Sequence, residues 1–160
     1  SVRGLVYISR KGPHNYPSGT PGGEHVNIER IEHQGELLAL ILPHNLSGEG
    51  IHFFTPSDFS QQLGYMKRPA GYTIEPHVHK DVRREVQKTQ EVLFIRSGRL
   101  RIDFYAPDRR LFTSRELRSG DIILLASGGH GVTMLEPTEI VEVKQGPYAG
   151  DEDKVRFDHS

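Results

Sequence analysis

Apolar residues occur along this chain in short bursts rather than long stripes. Residues 37–42, 51–55, 91–95, 100–105, 122–125 and 140–143 are rich in β-branched, aromatic and aliphatic side chains, with glycine, proline or polar residues between them. Runs of that length and composition read as β-strands, and their recurrence predicts an all-β sandwich or barrel. Leu100, Ile102 and Phe104 alternate with Arg101, Asp103 and Tyr105, the period of a strand with one buried face. Ser97-Gly98, just before it, reads as a hairpin turn. On the last run Glu142 and Lys144 stand in opposite phase to Val141 and Val143. The expectation is that the valines fill the core; only the reverse phase offers Glu142 as a general base.

The 17 glycines and 10 prolines are spread through the chain and exclude long helices. Thr55-Pro56-Ser57-Asp58 is the one helical start, an N-cap with proline first and a carboxylate third, and predicts one or two turns. No repeat of solenoid or propeller period is present. Residues 9–25 are poor in apolar positions and read as a loop or an arm. The organisation expected is an N-terminal arm over 1–35, one barrel domain over 36–150 and a tail over 151–160.

Composition narrows the function. A chain of 160 residues is the size of one domain. Twenty Lys and Arg against 21 Asp and Glu leave a net charge of −1, so no field gathers phosphates and nucleic acid is not the expected partner. Cysteine is absent, which removes disulfides, thiolate nucleophiles and cysteine zinc sites; any metal must use histidine and carboxylate. No apolar run resembles a signal peptide and nowhere do 18 apolar residues follow one another, which predicts a soluble cytoplasmic protein without membrane contact.

Nine histidines are present, and His77-Val78-His79 would point two imidazoles to the same face of a strand. In a chain with this many histidines roughly 0.5 such pairs are expected by chance, so it needs context. Glu91 opens one apolar run, and His130 follows another through Ser127-Gly128-Gly129. Three imidazoles and a carboxylate on separate strands are then able to converge inside a barrel. Glu85, in the polar spacer 80–90, is the competing carboxylate, but it opens no strand. His14, His25, His33, His44, His52 and His159 share no spacing and are read as exposed or structural.

The order of these residues resembles the cupin family. Its first motif, Gly, five residues, His-x-His, a spacer, Glu, six residues and Gly, is matched by Gly71, His77, His79, Glu91 and Gly98, although the eleven-residue spacer is longer than the usual three or four. Its second motif is matched more loosely. Gly120-Asp121 and His130 fall on it, while Ala126 stands at the expected proline and Met134 at the expected asparagine. The resemblance spans about 64–144 and implies a double-stranded β-helix, the cupin jelly-roll barrel, with an N-terminal extension. It also implies that His77, His79, Glu91 and His130 hold one divalent metal ion. Such ligands suit iron, manganese, nickel, zinc or copper and leave positions open for water or substrate.

The activity implied is dioxygenase-type chemistry on a small oxygen-rich molecule. The alternatives are a metal-dependent isomerase or epimerase of a sugar or keto acid, and a binding module without turnover. Tyr65, Arg68 and Lys144 are candidate substrate contacts, since a cation in a partly dry cavity pairs an anionic substrate. Small jelly rolls often cover edge strands with a second subunit, so a homodimer is expected.

Overall fold

The structure, a computed structural model, describes residues 27–158. Its strands in chain order are β1 (Glu29–His33), β2 (Glu36–Leu42), β3 (Gly50–Phe53), β4 (Gly64–Lys67), β5 (Glu91–Ser97), β6 (Arg99–Tyr105), β7 (Leu111–Arg118), β8 (Ile122–Leu125), β9 (Gly129–Met134) and β10 (Glu139–Lys144); a 3-10 turn, Gly150–Asp153, follows. All pairings are antiparallel. A five-stranded sheet has the order β1-β2-β8-β5-β10, a three-stranded sheet the order β7-β6-β9, and β3 and β4 form a separate hairpin. The fold is therefore all-β with antiparallel sheets, as the short apolar runs predict. The residues expected to form an arm before 27 lie outside the described residues, as do His14, His25 and His159.

The two sheets share one core. Leu38, Ile41, Leu93, Ile95 and Ile123 of the larger sheet pack with Leu100, Ile102, Phe104 and Leu117 of the smaller. A second core lies on the other face of the larger sheet, where Leu40, Val92 and Leu124 meet Phe54, Phe59, Leu63 and Tyr65 from the β3–β4 region. Having apolar neighbours on both faces explains the unbroken apolar sequence of β2, which sends Leu38 and Ile41 one way and Leu37, Leu40 and Leu42 the other. Each fully buried leucine, isoleucine or phenylalanine contributes about 1.5–3 kcal/mol by leaving water.

The two long sides of this sandwich differ. Between β1 and β7 the gap is closed by side chains: Arg115 Nε donates to Glu29 Oε1 at 2.6 Å, and the His33 ring stands edge-on to Phe112 with centroids 4.7 Å apart. On the opposite side, among the described residues, β10 pairs only with β5 and β9 only with β6, so two edges without a partner strand there flank the mouth of the core.

Several local expectations are corrected. Residues 55–58 form no helix; Phe59 N bonds back to Pro56 O in a turn, and the Thr55 hydroxyl spans the loop, donating to Gln62 Oε1 and accepting from Leu63 N. A hydroxyl spent across the loop caps nothing. Ser97-Gly98 is a tight turn, with Gly98 at φ +80°, but it is not a hairpin: β5 and β6 belong to different sheets, and the turn carries the chain from one to the other. The phase of β10 is the reverse of that expected. Lys144 pairs with Glu91, Glu142 with Leu93 and Ile140 with Ile95, so the charged pair lies on the core side, while Val141 and Val143 are about half exposed on the other face. Glu29–His33, in the stretch assigned to the arm, is a strand of the larger sheet, and Phe157 of the tail packs on Tyr105 with centroids 5.1 Å apart.

Candidate functional site

Antiparallel pairing puts directly opposed residues on the same face of a sheet. His130, Val132 and Met134 of β9 face Phe104, Ile102 and Leu100, which belong to the central core, so His130 points between the sheets. Glu91, at the start of β5, shares its face with Leu93 and Ile95 and points to the same space from the other sheet. At the open side the two walls part into a cleft of about 240 Å³. Glu91, His130, Glu142 and Lys154 supply its polar lining; Leu93, Leu125, Val132, Met134 and Ile140 supply its apolar lining.

In this cleft His130 Nε2 lies 3.3 Å from Glu91 Oε2, and beside it Lys144 Nζ lies 3.1 Å from Glu91 Oε1 and 3.2 Å from Asp153 Oδ2. Thr89 Oγ1 donates to the other Asp153 oxygen at 2.6 Å. The Glu91 carboxylate is nearly buried, its side chain 13% exposed. The hydrogen bond from His130 and then that from Lys144 outweigh this burial and hold its pKa at about 2. The same contacts act on their partners: the Glu91 carboxylate, followed by Asp153, raises the Lys144 ammonium above its usual value, and Thr89 and then Lys144 lower Asp153. Glu91 is thus ionised at neutral pH beside an imidazole, with its second oxygen balanced by a cation.

The other sequence candidates lie elsewhere. His77 and His79 are not on a strand; they sit in the segment between β4 and β5, where residues 66–89 are all exposed. Their rings meet edge to face with centroids 5.3 Å apart, and His77 Nδ1 lies 2.8 Å from the Glu75 carbonyl oxygen. Glu85 is on the same segment, bonded to Gln87. Tyr65 packs against the second core, on the face of the larger sheet away from the cleft, and the Arg68 guanidinium stacks over Tyr72 at 4.7 Å. Four of the sequence candidates, Glu91, His130, Glu142 and Lys144, therefore come together, and His77, His79, Tyr65 and Arg68 do not join them. Among the described residues no three or more histidines and carboxylates are placed to hold a metal ion.

Sequence reasoning did not single out Asp153 and Thr89. The acidic run 151–153 after β10 was the available signal, but its link to Lys144 needs the 3-10 turn that brings it back. Of the remaining described histidines, His44 is tied into a structural corner: Asp121 Oδ1 accepts from its backbone N–H, and Arg118 approaches its ring. A second cavity, of about 390 Å³, lies near His33 and Phe112, away from these groups. Among the described residues no helix is long and apolar enough to cross a membrane. No protein-family model, curated protein or solved structure matches the chain.

Proposed function

We propose that the cleft binds a small oxygen-rich molecule in a barrel of the cupin type and that Glu91 and His130 are its working groups. One observation carries this reading: two residues far apart in sequence meet at 3.3 Å inside the open mouth of the core, one an ionised carboxylate and the other an imidazole. An imidazole oriented by a carboxylate is the arrangement of a general base or acid that passes a proton to and from a substrate. Set against a hydroxyketone or keto acid, the pair suits proton transfer next to a carbonyl, the chemistry of an isomerase or epimerase. Glu142, on β10 beside the strand of Glu91, is a second proton acceptor, and Lys154 a cation for the substrate's carboxylate.

A second reading, a divalent-metal centre supporting dioxygenase-type chemistry, is favoured by His77 and His79, two adjacent imidazoles with nothing but local partners. It requires them to reach Glu91 and His130.

Solvent-deuterium incorporation into a panel of hydroxyketones, keto acids and sugars, followed by proton NMR, tests the first reading. Exchange at the carbon beside the carbonyl is expected with the native chain and is lost in His130→Ala and Glu91→Gln. Exchange that survives both substitutions, or no exchange and no binding across the panel, overturns it.

A further inference from the structure

Two features of the molecule are unfinished, and they are complementary. The first is the open side of the sandwich, where β9 and β10 each carry an edge that no strand of the described residues covers. Around the β10 edge, Val141, Val143 and neighbouring Phe94 are 46%, 50% and 37% exposed on the outer face, while Glu142 and Lys144 lie on the inner face. An edge strand with an apolar outer face and unpaired backbone is a template for another strand.

The second is the long segment between β4 and β5. Its ends are tied down: Lys67 pairs with Glu49 at 2.7 Å, Lys88 with Glu36 at 2.6 Å, and Gln90 is buried. Between these anchors every residue is exposed, and the bonds it makes are local, as from His77 to Glu75, Arg84 to Val82 and Tyr72 to Pro69. Read at a two-residue period, 72–79 carries Tyr72, Ile74, Pro76 and Val78 on one face and Thr73, Glu75, His77 and His79 on the other. That is the alternation the β10 edge displays, apolar outside and charged inside. Pro76 gives no N–H to a ladder, so its own N side must face away from the partner strand.

Charge points the same way. From 68 to 88 the chain holds five cations, Arg68, Lys80, Arg83, Arg84 and Lys88, against three carboxylates. The stretch 136–153, which contains β10, holds six carboxylates against Lys144 alone. Opposite fields of this kind steer association and set its orientation.

We infer that residues 69–87 of one copy of this chain add as a strand to the free β10 edge of a second copy, reciprocally, forming a two-fold strand-exchanged dimer. Among the described residues of one chain the segment and the edge are left apart, each uncovered; exchange covers both in a single symmetric interface. It also carries His77 and His79 of one copy to the side where the cleft of the other opens. That consequence bears on the metal reading above, but the pairing does not depend on it.

The chain has no cysteine, so introduced thiols are unambiguous. Ile74→Cys in one preparation and Val141→Cys in another are mixed, unfolded, refolded together and treated with a short thiol-to-thiol cross-linker that spans directly opposed and diagonal cross-strand pairs. A cross-linked product containing both chains, together with light scattering at twice the 18.1 kDa chain mass, is the expected result. Ile74→Asp on the segment and Val141→Asp on the edge are each expected to weaken the dimer at least about tenfold, as loss of an anchor at an interface does. The double variant Ile74→Cys, Val141→Cys is treated in the same way: cross-linking confined to its single chains, with no product joining two chains in the mixture, shows the segment closing on its own edge and overturns the exchange; a monomer with no cross-link overturns it as well. Metal content is measured on the same samples. A dimer without metal refutes the metal reading alone, and metal in a chain that does not pair refutes the exchange alone.

Discussion

The Glu91 carboxylate links the stability of the fold to pH. Its pKa is about 2 in the folded chain against 4.5 for the free side chain. At about 1.4 kcal/mol per pH unit, that difference corresponds to roughly 3 kcal/mol. The cleft is open to water on one side, and solvent screening reduces the expected contribution to about 1–2 kcal/mol. Because the folded value is the lower one, the stabilisation is complete above pH 4.5 and disappears as the pH falls through that value toward 2. Glu91→Gln keeps the size and the acceptor oxygen while removing the charge. Urea unfolding followed by circular dichroism between pH 7 and pH 3 reads the difference: the variant is less stable at pH 7 by about 1–2 kcal/mol, and the two curves converge toward pH 3. Glu36 and Asp153 are also held below their usual values, but both chains contain them, so the difference isolates Glu91. Curves that remain parallel over the whole range would refute the argument that His130 and Lys144 hold this carboxylate ionised.

Other outcomes follow from the same geometry. Lys144→Met removes the second partner of Glu91, so the carboxyl titration, followed by carbon NMR, moves up from about 2 toward 4.5; an unmoved midpoint removes Lys144 from the account. Gly98→Ala sets a Cβ against the Pro137 carbonyl and Thr138 at a φ of +80°, and denaturant unfolding is expected to show a loss of about 2 kcal/mol or more. Leu40→Ala, at a fully buried position of the second core, is expected to cost about 2–5 kcal/mol in the same assay, and a loss below that range means the hairpin layer repacks. Elemental analysis of protein purified without chelator, beside Glu91→Ala and His79→Ala, tests the metal reading: bound metal is lost in both variants, and retention in both ends it.

Much of the strand pattern is legible in the sequence because burial leaves a direct trace. The apolar runs at β2, β5, β6, β8 and β10 stand out since each lines at least one core, and the alternation in β6 marks its buried face. β1, β7 and β9 escape notice for the same reason. β1 and β7 are edge strands rich in charge, and β9 begins Gly-His-Gly at the open side, so none carries an apolar run. Glu91 and His130 were identifiable from their places at the edges of apolar runs and from the resemblance in spacing; the strand expected to present His77 and His79 was not found.

What the sequence by itself determines is the class of the molecule, an all-β chain of short strands with no cysteine and almost no net charge, together with the places of Glu91 and His130 beside apolar runs. Period-two alternation shows that two sets of side chains face opposite ways, but it is silent on which way is inward. The tertiary structure decided that. The register of β10 on β5 sets Lys144 against Glu91, and the attraction of ammonium for a nearly buried carboxylate turns Glu142 and Lys144 toward the cleft and the valines outward. It likewise decided which partners meet, because Glu91 with His130 and Lys144 with Asp153 are contacts between elements that only packing brings together.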